Sequence, residues 1–159
     1  MKLLSLLTTL ITAALSACSS NSLGPGLGEL VGHWRPLTQS LQPRGTMDGL
    51  FIVGTDGATE DHVITRGVYP NQASGELSTH EVLYGRIGVN RDKFVIYPDS
   101  LVTTDVFYGP TYRHVQRDFS ARSHDSTQYQ IRGDQLHLAY YSYPADAPVL
   151  TERVLYREP

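Results

Sequence analysis

A single cysteine, Cys18, stands in the chain of 159 residues. No disulfide can form within the chain, and its folded part depends on packing alone. Apolar runs are short. The most continuous, Leu3 to Leu15, is broken by Ser5, Thr8, Thr9 and Thr12. As a helix it reaches about 20 Å, short of the ~30 Å hydrocarbon core of a bilayer. Behind the basic start Met1-Lys2 it has the form of a cleaved export signal rather than a transmembrane helix. Helical periodicity is missing as well: from Glu29 onward no window carries an i, i+3, i+4, i+7 apolar stripe. Nor is there a basic excess, since 13 Lys and Arg face 16 Asp and Glu for a net charge of −3. A chain of that sign has no general attraction to nucleic acid or to an anionic membrane surface.

Catalytic signatures are absent too. The six histidines form no HExxH and no H-x-H, and no second cysteine is available for a zinc site. Glu60-Asp61-His62, His80-Glu81 and His124-Asp125 set acids beside histidines, but neighbours on a strand point to opposite faces. A metal site would have to be assembled across strands. Ser123-His124-Asp125-Ser126 has the residue types of a triad, whose geometry is built from distant segments rather than chain neighbours. No G-x-S-x-G elbow and no glycine-rich phosphate loop ahead of a helix occur. The expectation is a non-enzymatic protein with no cofactor and no metal.

What remains is a β pattern. Short segments rich in Val, Ile, Leu, Tyr, Phe and Thr alternate with turn residues, which predicts an all-β fold. Strands are expected near 31–38, 48–54, 61–69, 79–89, 93–98, 101–108, 111–121, 127–132, 135–143 and 149–157. Asp56-Gly57, Asn90-Arg91-Asp92 and Gly133-Asp134 suit tight turns, the last with glycine at the first central position of a type II′ turn. Around it Tyr129, Ile131, Leu136, Leu138 and Tyr140 alternate with polar residues, the clearest strand pair in the sequence. Hairpins in succession without helical crossovers imply an antiparallel meander, and closure into a barrel removes its edges.

Two resemblances add to this reading. Leu15-Ser16-Ala17-Cys18 resembles the lipobox of bacterial lipoproteins, whose cysteine is lipidated and becomes the mature N-terminus. That resemblance implies a signal peptide over 1–17, acyl chains on Cys18 and attachment to a membrane through them. With Ser19 following the cysteine, it implies the periplasmic face of the outer membrane. Residues 18–28, containing SSNSLGPGLG, then form a flexible tether spanning roughly 17 Å. The second resemblance starts at Gly32-His33-Trp34. A G-x-W on the first strand followed by hairpins resembles lipocalin-like families, in which the tryptophan closes one end of the barrel under an arginine from the chain's far end. Arg157 is the matching arginine and Arg153 the second choice. The folded domain, 29–159, is therefore expected to be a small up-and-down, lipocalin-like barrel of about 8–10 strands, with Gly32, Trp34 and Arg157 as structural residues.

Two functions fit these expectations. The barrel carries a small apolar or amphipathic envelope molecule in a cavity lined by Phe51, Leu83, Tyr129 and Leu138. Alternatively, it recognises an envelope protein, as accessory subunit or inhibitor, through Tyr140, Tyr141 and Tyr143 or through a basic face containing Arg113 and Arg117. Tyrosine suits either use, being an apolar plate with a polar tip, and it is also an ordinary strand former. The Arg113–Arg122 face has the equally plain reading of a solvated, salt-bridged surface. Attachment through Cys18 is directly testable: Cys18→Ser is expected to move the protein from the membrane to the soluble fraction on ultracentrifugation, and continued sedimentation with membranes would refute the lipid anchor.

Overall fold

The computed structural model describes residues 26–41, 43–108, 112–117, 126–142 and 147–159. Cys18, the signal segment, most of the expected tether, Tyr143, Arg122 and His124 lie outside them. One helical turn, α1 (Leu27–Leu30), precedes ten strands: β1 (Gly32–Pro36), β2 (Gln39–Ser40), β3 (Thr46–Val53), β4 (Ala58–Arg66), β5 (Leu77–Asn90), β6 (Lys93–Asp105), β7 (Arg113–Gln116), β8 (Thr127–Arg132), β9 (Gln135–Ser142) and β10 (Val149–Arg157). A 3-10 turn, Val106–Tyr108, follows β6. Among the described residues every strand pairing is antiparallel. The order β1-β10-β9-β8-β6-β5-β4-β3, with β3 returning to β1, closes an eight-stranded barrel, and β2 and β7 are short additions beside β3 and β6.

An eight-stranded barrel has an interior just wide enough for side chains to fill. One end of this one is filled. Trp34, Phe51, Val53, Ile87, Phe94, Ile96, Tyr129, Leu136, Leu138 and Leu155 are buried there together with Leu30 from α1. The helical turn is a plug: Leu30 is fully buried and Leu27 packs on the same cluster. The indole Nε1–H of Trp34 donates to the carbonyl of Leu30 at 2.8 Å. The sequence assigned residues 27 and 28 to the tether; the structure places them in α1, because four residues are too few to show a helical period.

Arg157 fastens that plug. Its guanidinium lies 4.0 Å from the centroid of the Trp34 ring. The same group donates to the carbonyls of Val31 and Glu29, each at 2.8 Å. Carbonyls at a helix C-terminus have no intrahelical partner, and a cationic side chain satisfies them well. Gly32 makes room for this: a Cβ there would meet Arg157 Nη1 at 2.9 Å, and the backbone φ is +137°. Arg153 does not share the position. It turns into the barrel and meets Asp61 of β4 at 3.7 Å.

Register corrects the strand list in places. The expected strands 93–98 and 101–108 are one strand, β6. It runs through a bulge where Tyr84 opposes Ser100 and Gly85 opposes Pro98, leaving Asp99 as the extra residue. Gly85 permits it, since a Cβ there would sit 2.5 Å from the carbonyl oxygen of Tyr97. Of the expected strand 111–121 only residues 112–117 are described, and they hold β7, four residues long. The turns at Gly57 (φ +81°), Arg91 (φ +56°) and Gly133 (φ +63°) are left-handed at those residues. Arg91 is the only non-glycine of this kind among the described residues, and its carbonyl accepts the Tyr129 hydroxyl at 2.9 Å.

Trp34→Ala is expected to lower stability to urea by about 3–5 kcal/mol, as loss of a buried indole does. Gly32→Ala is expected to destabilise in the same direction by displacing Arg157. Unchanged unfolding midpoints in both would remove this cluster as the organiser of the barrel.

Candidate functional site

The four residues expected to line a ligand cavity do converge, but on the packed end. Phe51, Tyr129 and Leu138 belong to the buried cluster, and Leu83 packs against it half-buried. Phe51 and Phe94 stack at 6.1 Å between centroids, and Phe94 meets Tyr129 at 5.8 Å. Above them the free space bounded by Phe51, Asp61, Phe94, Leu138, Tyr140 and Arg153 is about 20 Å³, no more than a water fills. Among the described residues, Phe51, Tyr129 and Leu138 are packed core. Burial raises the pKa of the Tyr129 phenol, with Glu29 and Asp92 adding to the effect.

Among the described residues the other end is less completely paired. β1 pairs with β10 only over Trp34–Arg157 to Pro36–Leu155, whereas β10 pairs with β9 without interruption from Val149 to Tyr156. Beside the unpaired half of β10 lies a cleft of about 330 Å³, bounded by Pro36, Leu37 and Met47 on one side and Tyr140, Thr151 and Glu152 on the other. The backbone directions of β10 follow from two hydrogen bonds. The N–H of Arg157 donates to Asp134 on the β9 side, and the N–H of Glu158 donates to His33 on the β1 side. Alternation along the strand then turns the N–H and C=O groups of Leu150, Glu152 and Val154 towards the cleft. Among the described residues no strand pairs with them there.

The cleft is flanked by exposed apolar side chains. Leu37 is 68 % exposed, Leu150 56 % and Tyr141 52 %. Tyr140 and Tyr141 part as adjacent strand residues must: Tyr140 packs inward on the core cluster and Tyr141 faces solvent opposite Leu150. Tyr143 is outside the described residues. Arg113 is exposed on β7 opposite Thr104. Arg117 is exposed too, but β7 ends at Gln116, so the strand face expected to hold both arginines stops short. A further shallow concavity, about 470 Å³, crosses the outer side of β8, β9 and β10 past Gln128, Gln130, Arg132 and His137.

On the outer side of β4 and β5, Glu60, His62 and His80 form a chain of contacts. The Glu60 carboxylate accepts from His62 Nε2 at 3.0 Å, and His62 Nδ1 lies 3.1 Å from His80 Nε2. With its Nε2 proton committed to Glu60, neutral His62 offers Nδ1 as acceptor to the N–H of His80. Burial lowers the His80 pKa, and the nearby charges of His62 and Arg66 push it the same way. Among the described residues no group of three or more His, Cys, Asp or Glu side chains converges as a ready-made metal cage.

The chain matches no known protein-family model, and no curated protein is significantly similar to it. The geometry therefore stands on its own. Sequence reading missed the Glu60–His62–His80 chain by comparing immediate neighbours. The signal was there at spacing two, since Glu60 and His62 share a strand face; His80 joins only through the β4–β5 register.

The His80 shift has a sign. A histidine whose folded pKa is depressed binds its proton more readily in the unfolded chain, whose value is about 6.5. Its stabilising contribution is present above that value and is lost as pH falls through the lower folded value. Urea midpoints measured in EDTA at pH 7.5 and 5.5 are expected to fall further for wild type than for His80→Gln. Equal falls would show that His80 carries no such linkage.

Proposed function

We propose that this chain is a bacterial outer-membrane lipoprotein, held through Cys18, whose lipocalin-like barrel recognises a partner polypeptide. The partner lays an extended segment along the cleft and pairs with β10. The observation that carries this reading is the open edge of Leu150, Glu152 and Val154. Three consecutive donor–acceptor pairs facing a cleft are the template that strand addition uses. Side chains set what fits. Leu150, Glu152 and Val154 share the outer face, with Leu37 across the cleft, so the segment's outward positions suit apolar residues around one Lys or Arg placed against Glu152.

A second reading is favoured by the cleft's size. At about 330 Å³ it falls at the lower end of small-molecule sites, and barrel mouths are a common place for them. An amphipathic envelope molecule would then sit at the mouth, above Met47 and Tyr140, rather than in the filled interior.

One substitution separates the two. Glu152→Pro removes an N–H that points to the cleft and none that serves β9, a position where edge strands tolerate proline. The full-length protein and this variant, extracted in detergent, are compared by native mass spectrometry and amide exchange. Strand pairing predicts a co-purifying polypeptide, protection of the Leu150, Glu152 and Val154 amides in the complex, and at least tenfold less complex in the variant at an unchanged melting temperature. An organic-extractable small mass with no polypeptide would support the carrier reading instead. A polypeptide retained equally by Glu152→Pro would overturn strand pairing.

A further inference from the structure

Outside the cleft, the most distinctive chemistry is the histidine pair on the outer side of β4 and β5. The two residues sit diagonally across the ladder, His62 opposite Val82 and His80 opposite Ile64. Their ring nitrogens are 3.1 Å apart and their ring centroids 5.3 Å apart. A tetrahedral ion with two imidazole ligands at about 2.05 Å holds the nitrogens roughly 3.3 Å apart. A similar estimate puts the ring centroids roughly 5.2 Å apart. Both separations are already met to within a few tenths of an ångström, so the rings need to turn but the backbone does not need to move.

The protonation pattern is also suitable. Glu60 accepts from Nε2 of His62, leaving Nδ1 with its lone pair directed at His80. A carboxylate behind a ligating histidine fixes the tautomer and raises the basicity of the ring, the usual outer-shell arrangement at metal sites. On binding, His80 moves its Nε2 proton to Nδ1 and stays neutral, and no charge has to be created in either ring. His62 is only 15 % exposed. The opposing influence is Arg66, whose charge acts on His80. Its guanidinium is engaged with the Gly75 carbonyl at 3.3 Å.

We infer that His62 Nδ1 and His80 Nε2, backed by Glu60, form a two-histidine binding site for a late first-row divalent cation such as Zn²⁺ or Cu²⁺, with water completing its coordination. The inference is independent of the β10 edge, which lies on other strands. Imidazole ligation favours these metals over Mg²⁺ and Ca²⁺, and the ordinary affinity order puts Cu²⁺ ahead of Zn²⁺.

The test uses full-length, tag-free protein stripped with EDTA and titrated calorimetrically with ZnCl₂ and CuCl₂. One saturable site is expected, tighter for Cu²⁺, with MgCl₂ silent. His62→Gln and His80→Gln are each expected to weaken Zn²⁺ binding at least tenfold, and Glu60→Gln about tenfold, as outer-shell losses do. His137→Gln, bonded to Gln135 on β9, leaves binding unchanged. Imidazole ¹⁵N spectra of the unmodified protein supply a second readout that does not depend on any variant folding. Zn²⁺ shifts His62 and His80 selectively and switches the His80 tautomer. No saturable site, binding that survives in His80→Gln, or equal shifts across all histidines would overturn the assignment.

Discussion

The structure hangs on one cation over one ring. Arg157 covers Trp34 and at the same time satisfies the carbonyls of Glu29 and Val31. The contact joins the first strand, the last strand and the helical turn ahead of both. A cation–π contact contributes roughly 0.5–2 kcal/mol by itself. Its larger effect is topological, because β1 and β10 share only three residue pairs and the barrel closes across that short ladder. Arg35 adds a brace on the outer side, bonded to Asp48 of β3 at 3.1 Å and to Glu158 at 2.6 Å.

The two ends of the barrel follow from how much strand pairing each receives. At the Trp34 end every neighbour is in register, and aromatic and branched side chains fill an interior that eight strands make narrow. At the other end β1 stops at Pro36. The inward side chains there turn polar, with Asp61 and Arg153 bridging β4 and β10. A charged pair is costly to strip of water, and it marks where the apolar filling stops. Dense packing and free space are thereby separated along the barrel axis. The packed end holds the fold, and the loosely laced end leaves a cleft and, among the described residues, an unmatched strand edge.

Much of the scaffold was legible because it rests on short-range signals. Gly133-Asp134 between two alternating segments specifies a hairpin locally, and so do the turns at Gly57 and Arg91. The G-x-W and the distant arginine were legible as a pattern, although the reason for the glycine, room for Arg157, is visible only in three dimensions. Residues 27–30 were not legible as a helix, because one turn buried under a barrel is stabilised by what it plugs and not by its own periodicity. The single strand β6 was divided at Pro98-Asp99-Ser100, where turn-like residues turn out to form a bulge set by register with Gly85.

By itself, the sequence determined the all-β class, the antiparallel hairpins, the lack of cross-links and the pairing of Trp34 with an arginine from the chain's end. These depend on residue type and on spacing within a few positions, or on one motif at each terminus. Only the tertiary structure decided that Phe51, Tyr129 and Leu138 fill the interior they face. It alone left half of β10 without a second strand beside it among the described residues and brought His80 to His62. Those outcomes depend on strand register and on the radius at which eight strands close, and both are properties of the whole sheet rather than of any segment in it.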